Sequence, residues 1–186
     1  FDLDGTLVDS APSLWTAGNQ LLQNINRPSV DLQTYKTFIG KGIRNQVEML
    51  LLHTGGIPDN NLAKYLSLYS SFYNANLLTS TTVYCGVHET LAELKMLPAQ
   101  LALCTQKVEQ SARAVLSGLN IMHYFDGFAF GDSLSVLKPD PEMIFFALRK
   151  FEPGPVIYIG DSETDAMTAK NAKVPFLIYS NGYRNS

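Results

Sequence analysis

The sequence predicts an α/β fold: a doubly wound parallel sheet with a helical domain inserted near its start. Three observations carry this. Short apolar runs alternate with helical patterns through the second half of the chain. Residues 11–79 run at helical spacing with no strand-like interruption. Polar clusters follow the apolar runs, where open parallel sheets build their sites.

The expected strands are QLALCT (100–105), FAFG (128–131), VIYIGD (156–161) and PFLIY (175–179). Several are apolar without alternation, as in strands covered on both faces. The helices between them are VHETLAELK, with Val87, Leu91 and Leu94 on one face, then residues 108–119, 139–151 and 162–172. Ahead of these, APSLWTAGNQLLQNI places Leu14, Leu21, Leu22 and Ile25 at helical spacing. IRNQVEMLLLHTGG and NNLAKYLSLYSSFYNANLL continue the pattern, and Gly55-Gly56 reads as a helix C-cap. The expected division is a core of residues 1–10 and 82–186 with a helical cap at 11–81.

Composition narrows the function. At 186 residues with 46% hydrophobic and 17% charged residues, the chain suits a globular domain with an insertion. A net charge of -3 without a basic run argues against nucleic acid as a partner. No apolar stretch reaches the roughly 18 residues of a membrane span. Cys85 and Cys104 form no metal-like cluster and read as reduced, structural thiols in a cytoplasmic protein. His53, His88 and His123 read as surface or packing residues, and Trp15 as part of the helical core.

Four polar clusters stand at strand ends: Asp2 and Asp4, Thr105, Lys138, and Asp161 with Asp165. Each has a plainer reading. A calcium loop needs a third acidic position before its glycine, which DLDGT lacks. Lys138 alone would be a solvated lysine, and acidic residues at 161–165 would favour a helix N-terminus. Their convergence on one crevice favours a site.

With these motifs in order, the chain resembles the haloacid dehalogenase superfamily, in its phosphoglycolate phosphatase-like branch. DLDGT (2–6), LALCT (101–105), Lys138 in KPDP and GDSETD (160–165) carry the likeness, supported by HYFDG (123–127) and FGDSLSVLKPDP (130–141). The resemblance implies a Rossmann-like core under a cap, and a Mg2+-dependent phosphatase acting on a small phosphorylated metabolite, as a monomer or homodimer. It makes Asp2 the nucleophile of an aspartyl-phosphate pathway and Asp4 the general acid and base. Asp2, Asp4, Asp161 and Asp165 would serve Mg2+, Asp4 through its carbonyl and Asp165 through the metal's waters. Thr105 and Lys138 would hold the phosphoryl group, together with Gln106, where relatives usually carry asparagine. Lys41 and Arg44 in FIGKGIRNQ (38–46) would read an acidic leaving group from the cap.

Other departures are Cys85-Gly86 where proline-glycine is common, and Lys173 where glycine is usual. A β-phosphoglucomutase-like phosphomutase or a pyrophosphatase would use the same motifs. A haloalkanoate dehalogenase needs neither Mg2+ nor Asp4. A module that only binds a phosphorylated ligand has no use for both nucleophile and acid. Asp2 is expected to cap a central strand of about 5–6 residues. Only Phe1 precedes it, and NGYRNS closely follows PFLIY, so residues are expected to be missing before Phe1 and after Ser186.

Overall fold

The computed structural model describes residues 1–184. After an opening turn the chain forms β1 (Val8–Asp9), α1 (Ala11–Asn24), α2 (Leu32–Lys36), α3 (Gly42–His53), α4 (Leu62–Ala75) and β2 (Thr82–Val83). It continues through α5 (Val87–Lys95), β3 (Ala102–Cys104), α6 (Glu109–Gly118), β4 (Gly127–Ala129) and α7 (Glu142–Leu148). It closes with β5 (Tyr158–Gly160), α8 (Glu163–Ala172) and β6 (Phe176–Ile178).

β3 pairs in parallel with β4, and β5 with β6. The opening residues lie between these pairs. Phe1 donates to the Ala102 carbonyl at 2.9 Å and accepts from the Cys104 N–H at 2.8 Å, the slanted pattern of a parallel ladder. The Asp2 N–H then donates to the Ile159 carbonyl at 2.9 Å. Asp2 thus stands in the middle of a parallel array, level with the carboxyl ends of β3 and β5. Beyond it the chain reverses sharply, the Leu3 carbonyl accepting from Leu7 at 2.9 Å and Val8 at 3.1 Å. Gly5 makes this turn at φ +91°, where a Cβ would collide with the Asp161 carboxylate.

β1 pairs with β2 antiparallel, Val8 opposite Val83 and Asp9 opposite Thr82, so the helical segment leaves and rejoins the core through one two-stranded ribbon. Within that segment α1 packs mainly on α4. Its centre is polar but satisfied: the Tyr69 hydroxyl lies 2.8 Å and the Tyr35 hydroxyl 3.2 Å from Gln46 Oε1. α3 ends as Gly55-Gly56 led us to expect. The Gly56 N–H reaches back to the Leu51 carbonyl at 2.8 Å, with both glycines at positive φ.

Four points differ from the sequence reading. α2 has too few residues for a periodic signal; it is held by the Asp31 side chain accepting from the Thr34 N–H. The helix expected over 139–151 spans only Glu142–Leu148, because Pro139 and Pro141 precede its first turn. β6 is not covered on both faces. Among the described residues it pairs with β5 alone, and Leu177 and Ile178 remain 52% exposed. Of the two cysteines, Cys104 is buried and Cys85 exposed, so only Cys104 fills a packing role.

Lys173 ends α8 in the left-handed region, at φ 57°. A side chain there costs about 1–2 kcal/mol, partly offset by the entropy glycine gains on unfolding. Lys173→Gly is therefore expected to stabilise the fold by about 0.5–1 kcal/mol, read as a rise in urea midpoint at constant m-value. A fall in midpoint would contradict this account of the cap.

Candidate active site

The carboxyl ends of the parallel array gather three of the four sequence motifs around a single ammonium. Lys138 is 6% exposed, and its Nζ lies 2.9 Å from Asp2 Oδ1 and 2.7 Å from Asp165 Oδ1. It also donates to the Tyr158 hydroxyl at 3.2 Å. Burial opposes the charge on Lys138, yet Asp165 and Asp2 more than offset it and raise its pKa.

Asp165 is fully buried and its oxygens are taken: Oδ1 faces Lys138 and Tyr158, while Oδ2 accepts from the Ser162 N–H at 3.1 Å and hydroxyl at 2.6 Å. Burial would raise its pKa, but Lys138 and these hydrogen bonds hold it below the usual carboxylate range. Ser162 and Asp165 form a reciprocal capping box at the start of α8. Asp165 in this structure orients Lys138 and the helix start.

Asp2 and Asp161 are in the opposite electrostatic state. Burial pushes the Asp2 carboxyl up to about 7 despite Lys138. Asp161 is pushed up to about 6, again by burial, against hydrogen bonds from the Tyr183 N–H at 2.8 Å and the Thr6 hydroxyl at 3.2 Å. One oxygen each of Asp2, Asp161 and Asp165 lies within 4.8 Å of the others. Three buried carboxylates against one ammonium leave the cluster short of positive charge. Hard oxygens in that state fit a divalent cation.

Asp4 points away from this cluster. Its carboxylate accepts from the Ser10 hydroxyl at 2.5 Å and pairs with Lys107 at 2.9 and 3.1 Å. Lys107 is buried, stands 4.9 Å over the Tyr73 ring, and is held above its ordinary pKa by Asp4 and Tyr73 despite desolvation. Thr105 is buried after β3, and its Oγ1 accepts from the Lys107 N–H at 3.1 Å. This bond folds the loop so that Lys107 reaches Asp4.

A cavity of about 70 Å³ opens on these groups, with Asp2, Asp4, Thr105, Lys107 and Lys138 on one side and Ile39, Gly40, Ile43, Gln46 and Tyr73 on the other. Gln106 ties the two sides together through Nε2 and the Gly40 carbonyl at 2.8 Å. The loop 38–46 therefore meets the cavity mostly through backbone and apolar side chains. Lys41 and Arg44 are exposed and stand outside the cavity lining. Trp15 lines a separate groove outside α1 and donates to the Val30 carbonyl at 2.7 Å. His53 and His123 are exposed and His88 is half-buried, none of them at the cavity.

Sequence reasoning brought Asp2, Asp4, Thr105, Lys138, Asp161 and Asp165 to one region, and the structure gathers them there. It passed over Lys107, Ser10, Tyr158, Tyr183 and Tyr73. Lys107 had a signal, since it lies two residues beyond Thr105 in the same strand-end loop. Tyr183 had none: its hydroxyl accepts from the N–H groups of Ser10 at 2.7 Å and Ala11 at 3.0 Å, more than 170 positions away.

Comparisons with known proteins agree with this architecture. A family model described as haloacid dehalogenase-like hydrolase matches residues 1–179. A phosphoglycolate phosphatase of Rhodobacter capsulatus is 37% identical over 188 residues, covering all of this chain and 85% of that protein. One of Nitrosospira multiformis is 38% identical over 177 residues, covering 92% of this chain and 77% of its own. The crystal structure of a predicted phosphoglycolate phosphatase from Haemophilus somnus superposes with a TM-score of 0.92 at 28% identity, over 98% of this chain and 84% of that one.

Proposed function

The chain belongs to the haloacid dehalogenase-like hydrolases, and from that premise we propose that it is a Mg2+-dependent phosphatase of small phosphorylated metabolites, phosphoglycolate-like in its substrate. The carrying observation is the buried cluster of Asp2, Asp161 and Asp165 around Lys138, opening on a small cavity beside Asp4. In this reading residues 1–10 and 82–186 are the catalytic core and residues 11–81 the cap.

Asp2 attacks the phosphoryl group from the middle of the array and carries it as an aspartyl-phosphate. Lys138, fixed by Asp165, neutralises the transferring group and keeps Asp2 aimed. Thr105 and the adjoining N–H groups, with Gln106 behind them, hold the phosphoryl oxygens. Asp4 passes a proton to the leaving oxygen and takes one from the water that clears the intermediate. Asp2, the Asp4 carbonyl and Asp161 would hold the metal, with Asp165 behind them. When bound, the metal supplies charge that lets a carboxylate approach a phosphate dianion. Lys41 and Arg44, outside the cavity, add a screened attraction for anionic substrates.

Phosphate release from a panel of phosphorylated metabolites, with Mg2+ and with EDTA, tests the reading. Release of phosphate that stops in EDTA is expected. Release indifferent to EDTA would remove the metal, and no release from any member would favour a binding module.

Stability offers a second check with a definite sign. Asp2 and Asp161 titrate near 7 and 6 in the fold but near 3.8 when unfolded. Their raised folded values favour the fold below about pH 4 and penalise it progressively as pH rises through 6 and 7. The metal-free protein should lose melting temperature over that range. Because metal and protons compete for these oxygens, Mg2+ should raise Tm more at pH 8 than at pH 5.5. A Mg2+ effect independent of pH would contradict the assignment.

A further inference from the structure

Tyr73 carries the one buried side-chain polar atom among the described residues that has no hydrogen-bond partner, its phenol oxygen. An orphaned buried hydroxyl is uncommon and calls for a reason. Tyr73 is 3% exposed and lines the cavity that holds Asp2 and Asp4. The neighbouring tyrosines of α4 do not share its condition. Tyr69 is bonded to Gln46 and Tyr35, and Tyr65 is not among the cavity-lining residues. The sequence shows three tyrosines spaced four apart on one helix face, which reads as packing.

Two further groups turn toward the same space. Lys107 stands over the Tyr73 ring while pairing with Asp4 and acts on the phenol oxygen as a weak donor at most, so the O–H proton is the part of Tyr73 left uncommitted. Gln46 has its Oε1 committed to the Tyr69 and Tyr35 hydroxyls, which leaves its amide N–H groups for the cavity. A donor O–H, an ammonium and amide N–H groups converge in a space of about 70 Å³. The carboxylates beside them, Asp2 and Asp4, are already paired with Lys138 and Lys107.

We propose that the Tyr73 hydroxyl is a specificity-determining donor that binds a carboxylate oxygen of the leaving group, assisted by the Gln46 amide, and that its missing partner is the substrate. The proposal rests on the phosphatase reading and names the residue that selects within it. A cavity of about 70 Å³ suits a short leaving group, with the carboxylate one or two carbons from the ester oxygen. A site built around an unpaired donor discriminates strongly, because the wrong ligand leaves that donor buried and bare.

Tyr73→Phe keeps the ring under Lys107 and removes only the hydroxyl. The test compares 2-phosphoglycolate with ethyl phosphate, which has a similar length and no carboxylate. The ratio of their kcat/KM values should fall by about 10- to 100-fold in Tyr73→Phe, the range for one hydrogen bond to a charged group. The same ratio should shift in calorimetric binding measured in an Asp2→Asn background, where no turnover intervenes. The free Tyr73→Phe protein should melt at the same temperature or higher, since an uncompensated buried hydroxyl has been removed.

An unchanged ratio in both assays, or no discrimination between the two ligands by the parent protein, overturns the assignment. So does a clear drop in Tm, which would make the hydroxyl structural. If the parent protein releases phosphate from neither compound but Tyr73→Phe still abolishes selective binding, the phosphatase reading falls and the Tyr73 assignment stands. If both compounds are hydrolysed and the ratio does not move, the outcome is the reverse.

Discussion

Asp2→Asn should lower phosphatase turnover by about four orders of magnitude or more, comparable to losing a nucleophile elsewhere, with the fold intact. The geometry explains both halves. Asp2 is held by its backbone, through the Ile159 carbonyl at 2.9 Å and the neighbouring bonds of Phe1, so the array does not depend on its carboxylate. The side chain sits 2.9 Å from the Lys138 ammonium and within 4.8 Å of Asp161 and Asp165, positions an amide fills without displacement. What the amide lacks is an oxygen able to attack phosphorus and the charge to hold a cation. Purified variant and parent are compared by phosphate release and by far-UV circular dichroism. Residual hydrolysis within about tenfold of the parent, far inside the loss expected for a nucleophile and with contaminating phosphatase excluded, would sink the mechanism.

Lys138→Ala should be the most destabilising of the site substitutions. It removes the ammonium from between Asp2 and Asp165 and leaves three buried carboxylates facing one another. Breaking a buried ion pair from one side costs about 3–5 kcal/mol, or a fall in Tm of about 6–20 °C for a chain of this size. The pH dependence identifies the cause. Asp2 and Asp161 take up protons below about 7 and 6, which relieves the repulsion. The gap in Tm between variant and parent should therefore narrow from pH 8 to pH 5. A fall of less than about 2 °C at pH 8, under the equivalent of 1 kcal/mol, would show that Lys138 does not hold the cluster together. Turnover should fall as well, because in the proposed mechanism Lys138 both aims Asp2 and meets the phosphoryl charge.

Much of this arrangement was legible in the chain, and the reasons are local. The runs around β3, β4 and β5 announce strands because an apolar stretch closed by a polar residue is what a covered parallel strand requires. Thr105 and Asp161 stood out because each closes such a run, and Asp2, Asp4, Lys138 and Asp165 because they lie in the DLDGT, KPDP and GDSETD motifs. Helix limits were legible where a cap marks them, as at Gly55-Gly56, and blurred where prolines truncate the pattern, as before Glu142. β6 misled because LIY looks like a buried strand, although its position at the sheet edge leaves Leu177 and Ile178 half exposed. α2 escaped because five residues complete too few turns to show a period.

Sequence alone therefore determined the fold class, the order of the motifs and the identity of the charged groups that form the cluster. These depend on neighbours along the chain, and the chain records its neighbours. Only the tertiary structure decided how those groups are divided among partners. Lys138 goes to Asp2 and Asp165, while Lys107 goes to Asp4 across 103 positions. Gln106 closes on Gly40, and Tyr183 braces the start of α1 from the far end of the chain. The basic side chains of loop 38–46 face solvent while its backbone meets the cavity. The physical reason is common to all of these: hydrogen bonds and ion pairs are settled by distances of about 3 Å, and such distances between remote residues exist only after the chain has folded.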